Sequence, residues 1–271
     1  MESSLSECGP VQGIIDVALM EDLASGDVTG RVTVPAQTRW RARLVAKTRL
    51  VQAGVAVARQ VFHTVDREIR CEVHLRDGEV ASPGTVLMDL EGNARALLAG
   101  ERTALNLLQR MCGVATLTRA YVDAAAGRCR ICDTRKTMPG LRALDRYAVR
   151  CGGGHNHRND LGAGVLIKEN HIRAAGGVAE AVLRARGHAP HTLRIECEVT
   201  SHAELRVALD AGADAVLLDN MDDAAVREAV AIVAGRAKIE VSGGVGLERI
   251  SALAGLGIDK MVVYGRLEDG S

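Results

Sequence analysis

The chain is poor in aromatic residues: one Trp, three Tyr and one Phe make up 2% of its 271 residues. Few flat side chains are therefore available for stacking on nucleic-acid bases. A charge excess is also missing, because 34 basic residues balance 34 acidic ones. General nucleic-acid binding draws its affinity from a surplus of Lys and Arg that neutralises phosphates, so nucleic acid is not an expected partner. No apolar run approaches the ~20 residues of a membrane-spanning helix, and no membrane partner is expected. The opening MESSLSECGPVQG has neither the basic segment nor the apolar stretch of a secretory signal, and a cytoplasmic protein is expected. The seven cysteines are odd in number and scattered, which points to free thiols in a reducing compartment rather than a disulfide framework. Cys129 and Cys132 form a C-x-x-C inside the strand-like run RCRICD, whereas a redox pair normally opens a helix.

What is present is an α/β pattern. The segment GIIDVALMEDL reads as a helix ending near Ser25 and Gly26. RWRARLVAK and REIRCEVHL alternate apolar and polar residues as half-buried strands do, with a helix, GVAVARQVFHTV, between them. A further helix starts near Asn93 or Gly100 and runs through GERTALNLLQRM. On it Arg102, Asn106 and Gln109 line one polar stripe, which periodicity alone reads as a solvated face. From about Arg128 the pattern becomes strand then helix, repeated. The short runs CRICD, GVLIK, LRIECEV, AVLLD, AKIEV and DKMVVYG are rich in Val, Ile and Leu and read as buried parallel strands. Ser201 and Glu204 have capping-box spacing before one intervening helix. The expected fold class is α/β, with an N-terminal α/β sandwich domain (1–111) and an open, incomplete β/α barrel domain (112–271).

The residues that follow each strand carry the chemistry, since active sites of β/α barrels gather at the C-terminal strand ends. CRICD runs into Thr134, Arg135 and Lys136, and GVLI into Lys168. AVLL ends in Asp219, and AKIEV in Ser242, Gly243 and Gly244. LRIECEV carries Glu196 and Glu198, read here as facing opposite sides, so that one carboxylate reaches the mouth and the other is structural. Arginines can grip carboxylates through paired planar hydrogen bonds, and the lysines supply compact positive charge. Glu198 and Asp219 can hold a hydrated Mg2+ or ribose hydroxyls. The Ser-Gly-Gly turn lets backbone amides approach a phosphate. The run GGGHNHRND is the least ordinary piece, with His155, His157 and Arg158 following three glycines. Its H-x-H raises a zinc hydrolase as a rival reading, opposed by its place after a glycine loop and by the adjacent Arg158.

At this point whole segments resemble a known family. GERTALNLLQRMCGVAT, DTRKTMPGLRALDRYAV, GGGHNHRNDLGAGVLIKENHI, ECEV, LLDN and EVSGG, with EDLASGDVT near the start, are similar in wording, order and spacing to quinolinate phosphoribosyltransferases. The resemblance covers roughly residues 12 to 260. It implies transfer of phosphoribose from phosphoribosyl pyrophosphate to quinolinate with decarboxylation, a step of NAD biosynthesis, and Mg2+ as cofactor. It implies a homodimer, or a hexamer of dimers, in which Arg102 is donated to the neighbour's site. Arg135, Arg158 and Lys168 would bind quinolinate, with Thr134, Lys136 and His157 close by. Glu198 and Asp219 would meet ribose and magnesium, and Ser242, Gly243 and Gly244 the 5-phosphate. Lys136, Lys168, Glu198 and Asp219 are the residues expected to carry the chemistry.

The C-terminal segment departs from the family pattern. Where members read close to SVGALTHS, this chain reads MVVYGRLEDGS, so that Tyr264 and Gly265 stand at the strand end expected to touch phosphate. Weakened donor affinity is the expectation. Two alternatives stand beside the main reading: a paralogue acting on another pyridine or aromatic acid, and a non-catalytic binder resembling the family's molybdenum-transport relative.

Overall fold

The computed structural model describes residues 11–263, so Tyr264, Gly265 and the departing C-terminal segment lie outside the described residues. The chain forms two compact units. One comprises residues up to Arg119 together with Thr137–Gly153; the other comprises Ala120–Lys136 and the residues from Gly154 onward.

The first unit opens with α1 (Val11–Leu23) and α2 (Val28–Thr33). Strands β1 (Arg39–Val45) and β2 (Leu50–Val51) precede helix α3 (Val55–Val65), and β3 (Arg70–Val73), β4 (Val80–Ala81) and β5 (Val86–Asn93) follow it. β5 lies between β1 and β3 in an antiparallel sheet, and β2 pairs with β4. Alternation along β1 sends Arg41 and Arg43 outward to Glu91 and Asp89 of β5, while Leu44 enters the core. Helix α3 covers that core with Val57, Ala58, Val61 and Phe62. The Asn93 side chain accepts from the amides of Arg95 and Ala96, which starts α4 (Ala94–Ala125). This helix is 32 residues long, well beyond the stretch read from GERTALNLLQRM.

The helix α5 (Arg142–Cys151) belongs to the first unit, although it follows residue 112 in sequence. Its Leu144, Tyr147 and Ala148 complete that unit's apolar core. Arg110 of α4 grips Asp145 through two 2.8 Å bonds, and the Tyr147 hydroxyl donates to Asp77 at 2.7 Å. A cut by chain order does not see this interleaving.

The second unit contains β6 (Arg130–Cys132), β7 (Val165–Ile167), α6 (Glu169–Ala175), α7 (Val178–His188) and β8 (Ile195–Val199). It continues with α8 (His202–Asp210), β9 (Ala215–Asp219), α9 (Asp223–Val233), β10 (Lys238–Ser242), α10 (Leu247–Ala254) and β11 (Lys260–Val262). All pairings are parallel, in the order β6-β11-β10-β9-β8-β7. First and last strands are neighbours, as in a barrel, and the ring is open between β6 and β7. Alternate residues such as Cys197, Val199, Val216, Leu218, Ile239 and Val241 pack in one core with the α7–α9 residues Val182, Leu205 and Val226. The residues between them line the barrel interior. The Ser201 hydroxyl caps α8 by accepting from the Glu204 amide, but the Glu204 carboxylate accepts from Thr200 rather than closing the box on Ser201.

No helix among the described residues is long and apolar enough to cross a membrane. The six described cysteines are free, and Cys132 ends β6 with Cys129 in the bend just before it, so the C-x-x-C does not open a helix. Burial pushes the thiols of Cys132 and Cys197 up to about 12 and that of Cys112 up to about 11. Since the thiolate is the nucleophile, these three should resist a thiol-modifying reagent at pH 8 in the native protein and react once it is unfolded. Peptide mapping that finds any of them modified at the rate of a free thiol would contradict this burial.

Candidate active site

The strand ends of the second unit surround a cavity of about 520 Å³. From the end of β6 come Thr134, Arg135 and Lys136, and from the glycine segment His157 and Arg158. Strands β7 and β8 contribute Lys168 and Glu198, β9 contributes Asp219, and the turn after β10 contributes Ser242, Gly243 and Gly244. Eleven of the expected site residues thus line one cavity in one unit. Arg102 belongs to the first unit, exposed on α4. Leu166, Leu217 and Val262 supply the apolar wall of the cavity.

Lys168 and Asp219 are each held from a neighbouring strand. Lys168 Nζ donates to Glu198 Oε2 at 2.9 Å, with the lysine's own amide donating to His171 Nδ1 at 2.9 Å as α6 begins. Asp219 accepts from the Ser242 hydroxyl at 2.7 Å and from the Asn220 side chain at 2.9 Å. The turn after β10 requires glycine. Gly243 has φ +81°, and a Cβ there would collide with the Asn220 side chain and lie 2.8 Å from its backbone nitrogen.

The cations outnumber the anions at this mouth. Arg135, Lys136, Arg158 and Lys168 face Asp133, Glu198 and Asp219, with Asp133 held by the His157 amide and the Asn156 side chain and Lys168 paired to Glu198. Burial, and then the nearby Arg135 charge, lower the Arg158 pKa. Two guanidiniums that raise each other's cost favour an anionic guest between them. Arg135 Nε is buried with no hydrogen-bond partner among the described residues, a donor suited to such a guest.

Sequence reasoning missed the layer beneath. Glu196 does not face away from Glu198: residues two apart along a strand share a face, and both point into the barrel. Glu196 and Glu240 each place an oxygen 3.3 Å from His157 Nε2, and Lys260 Nζ pairs with the other oxygen of Glu240 at 2.5 Å. Asp133, also buried, accepts from the His157 amide at 2.7 Å and from the Asn156 side chain at 2.6 Å. The Arg158 amide donates to His157 Nδ1 at 2.8 Å.

Two influences oppose each other at the His157 ring. The carboxylates of Glu196 and Glu240 push its pKa up to about 9, while the Arg158 amide occupies the Nδ1 lone pair and favours a neutral ring. The amide bond is the shorter contact, so the ring carries its proton on Nε2, between the carboxylates. Burial pushes the Glu196 carboxyl upward, whereas His157 and Lys260 outweigh burial and hold Glu240 down. The atoms of His157, Glu196 and Glu240 lie within 4.8 Å of one another, a metal-like spacing. A protonated Nε2 has no lone pair for a metal, and Lys260 already neutralises Glu240.

Two family models match the chain one after the other. The quinolinate phosphoribosyl transferase N-terminal domain matches residues 27–112, and the C-terminal domain matches residues 114–268. The chain belongs to the quinolinate phosphoribosyltransferase family. A Mycobacterium leprae relative, named nicotinate-nucleotide pyrophosphorylase (carboxylating), is 42% identical over 268 residues, covering 96% of this chain and 94% of its own. A Bacillus subtilis (strain 168) relative, named probable nicotinate-nucleotide pyrophosphorylase (carboxylating), is 42% identical over 241 residues, with coverage of 89% and 83%. The crystal structure of NadC from Streptococcus pyogenes superposes with a TM-score of 0.91 at 36% identity, covering 97% of this chain and 92% of that one. Membership fits an α/β protein in which a small antiparallel-sheet unit accompanies an open parallel barrel. It also removes the zinc-hydrolase reading of the H-x-H, because the second histidine is held by carboxylates and an amide.

Proposed function

We propose that this member of the quinolinate phosphoribosyltransferase family transfers phosphoribose from phosphoribosyl pyrophosphate to quinolinate and decarboxylates the adduct. The products are nicotinate mononucleotide, pyrophosphate and CO2. The observation that carries this reading is the pair Arg135 and Arg158, one with a buried Nε that has no hydrogen bond among the described residues and the other with its charge disfavoured by burial and then by its neighbour. A small dicarboxylate satisfies both at once, through charge-assisted paired hydrogen bonds.

Arg135, Arg158 and Lys168 hold the acceptor, with Thr134, Lys136 and His157 beside it. Ser242, Gly243 and Gly244 present amides and a hydroxyl to the donor's 5-phosphate. Glu198 and Asp219 face the ribose. Their hard oxygen donors also fit Mg2+, which neutralises pyrophosphate charge when bound. As pyrophosphate departs, the ribose takes oxocarbenium character, which the carboxylates of Glu198 and Asp219 favour, while Lys136 and Lys168 favour the leaving charge. The pyridine nitrogen attacks C1 of the ribose and becomes cationic. Loss of the 2-carboxylate as CO2 leaves an electron pair on the ring carbon beside that nitrogen, and a proton replaces the carboxylate. No enzyme nucleophile is required, so the buried thiols stay outside the reaction.

Pyrophosphate release from phosphoribosyl pyrophosphate, followed with and without quinolinate, tests this reading. Release that depends on quinolinate is expected. Quinolinate binding without release would point to a binder, and release supported only by another aromatic acid to a paralogue.

Arg102 enters the reading as a residue donated between subunits of a homodimer or a hexamer of dimers, and its exposure on α4 supports this. Arg102→Ala and Asp219→Ala, each inactive, should regain activity when mixed under conditions of subunit exchange, because one site per pair is then intact. No recovery with exchange verified would place Arg102 in its own subunit's site. The free cysteines support a cytoplasmic location.

A further inference from the structure

The open seam of the barrel poses a mechanical problem. β6 pairs with β11 on one side, but on its other side it has a single bridge, Cys132 to His155. The His155 amide and carbonyl, bonded to Ile131 and Asp133 at 2.8 and 3.0 Å, tie the segment that carries Arg158 to the β6 backbone, and the Asp133 side chain holds the His157 amide and the Asn156 side chain. Glycines 152–154 precede this segment and Gly162 and Gly164 follow it, so neither flank is stiff. A strand end takes its position from a ladder of backbone hydrogen bonds, and among the described residues this segment has a single bridge of that kind.

Side chains from two facing strands stand where that ladder is missing. Glu196 of β8 and Glu240 of β10 meet at His157 Nε2, and His157 Nδ1 receives the Arg158 amide. The ring is thereby a strut between the barrel floor and the backbone of Arg158. We propose that Glu196 and Glu240 are positioning residues for the acceptor site, holding the Arg158 segment in place through His157. This rests on the reading of Arg158 as an acceptor ligand.

Stability alone gives no reason for these acids. Glu196 is 7% exposed and Glu240 2%; Glu196 Oε1 has no hydrogen bond among the described residues, and Glu240 Oε2 meets His157 Nε2 at 3.3 Å as an ion-pair contact without a hydrogen bond. Apolar side chains of similar volume often stabilise such an interior equally well or better. Glu196 is the cleaner target, because Glu240 also neutralises Lys260.

The test compares Glu196→Leu, Glu196→Gln and the wild-type chain by amide hydrogen exchange and by steady-state kinetics. In Glu196→Leu the amides of 156–158 should exchange about tenfold faster, the effect of losing about one hydrogen bond. The quinolinate Michaelis constant should rise by a similar factor, about tenfold, with the donor constant within about twofold. Glu196→Gln keeps an oxygen that accepts from Nε2 and should restore both. His157→Phe removes the strut without touching the acids, and should loosen the same segment if Glu196→Leu proves too unstable to purify. Unchanged exchange in Glu196→Leu and His157→Phe would overturn the proposal, as would equal rises of both Michaelis constants. A wild-type chain that makes no product would sink the proposed reaction, and the exchange measurement would still decide the strut.

Discussion

Arg158→Ala is expected to raise the quinolinate Michaelis constant by about two orders of magnitude or more, with little change in that of phosphoribosyl pyrophosphate. A buried charge-assisted pair costs roughly 2 to 5 kcal/mol when one partner is removed, and each 1.4 kcal/mol is about tenfold. Arg135→Ala should behave alike. The pair should not be additive, because removing Arg135 also relieves the like charge that now lowers the Arg158 pKa. The double variant should therefore lose less than the product of the single losses. Equal weakening of acceptor and donor by either single variant would show that these arginines do not define an acceptor subsite.

The second large effect is expected at Asp219. Its two oxygens hold the Ser242 hydroxyl and the Asn220 side chain, so a purely structural role is a real competitor to the chemical one. Asp219→Asn separates them. An amide keeps the size and one accepting oxygen but loses the charge that a ribosyl cation or Mg2+ would feel. Loss of a preorganised electrostatic contact typically costs about 10²- to 10³-fold in turnover. Asp219→Asn is expected to show a fall of that order with its melting temperature close to that of the wild type. Near-normal turnover in Asp219→Asn would reduce Asp219 to a tether for the turn after β10.

Much of this site was legible along the chain because parallel strands of a barrel deliver their next residues to one end. Thr134, Arg135, Lys136, Lys168, Asp219 and Ser242 each follow a short Val-, Ile- or Leu-rich run, and they line one cavity. The layer beneath was not legible in the same way. Glu240 and Lys260 sit inside strands, where a charge in sequence looks like a solvent-facing position, and only the closing of the sheet makes that face an interior. Glu196 was misassigned for a simpler reason: a step of two residues along a strand returns to the same face. Asp133 ends the run CRICD and reads as the first loop residue, yet it is 7% exposed and bonds the His157 amide. The place of α5 depended on Leu144, Tyr147 and Ala148 finding their core in the first unit, and amphipathic spacing does not name the partner surface.

The reaction itself is the central claim, and one mixture tests it most directly. Purified protein, quinolinate, phosphoribosyl pyrophosphate and Mg2+ are combined, and the products are read by mass spectrometry, with each component omitted in turn. Nicotinate mononucleotide that forms only in the complete mixture is the predicted result. Absence of nicotinate mononucleotide from the complete mixture, with the protein folded and quinolinate bound in a calorimeter, would contradict it.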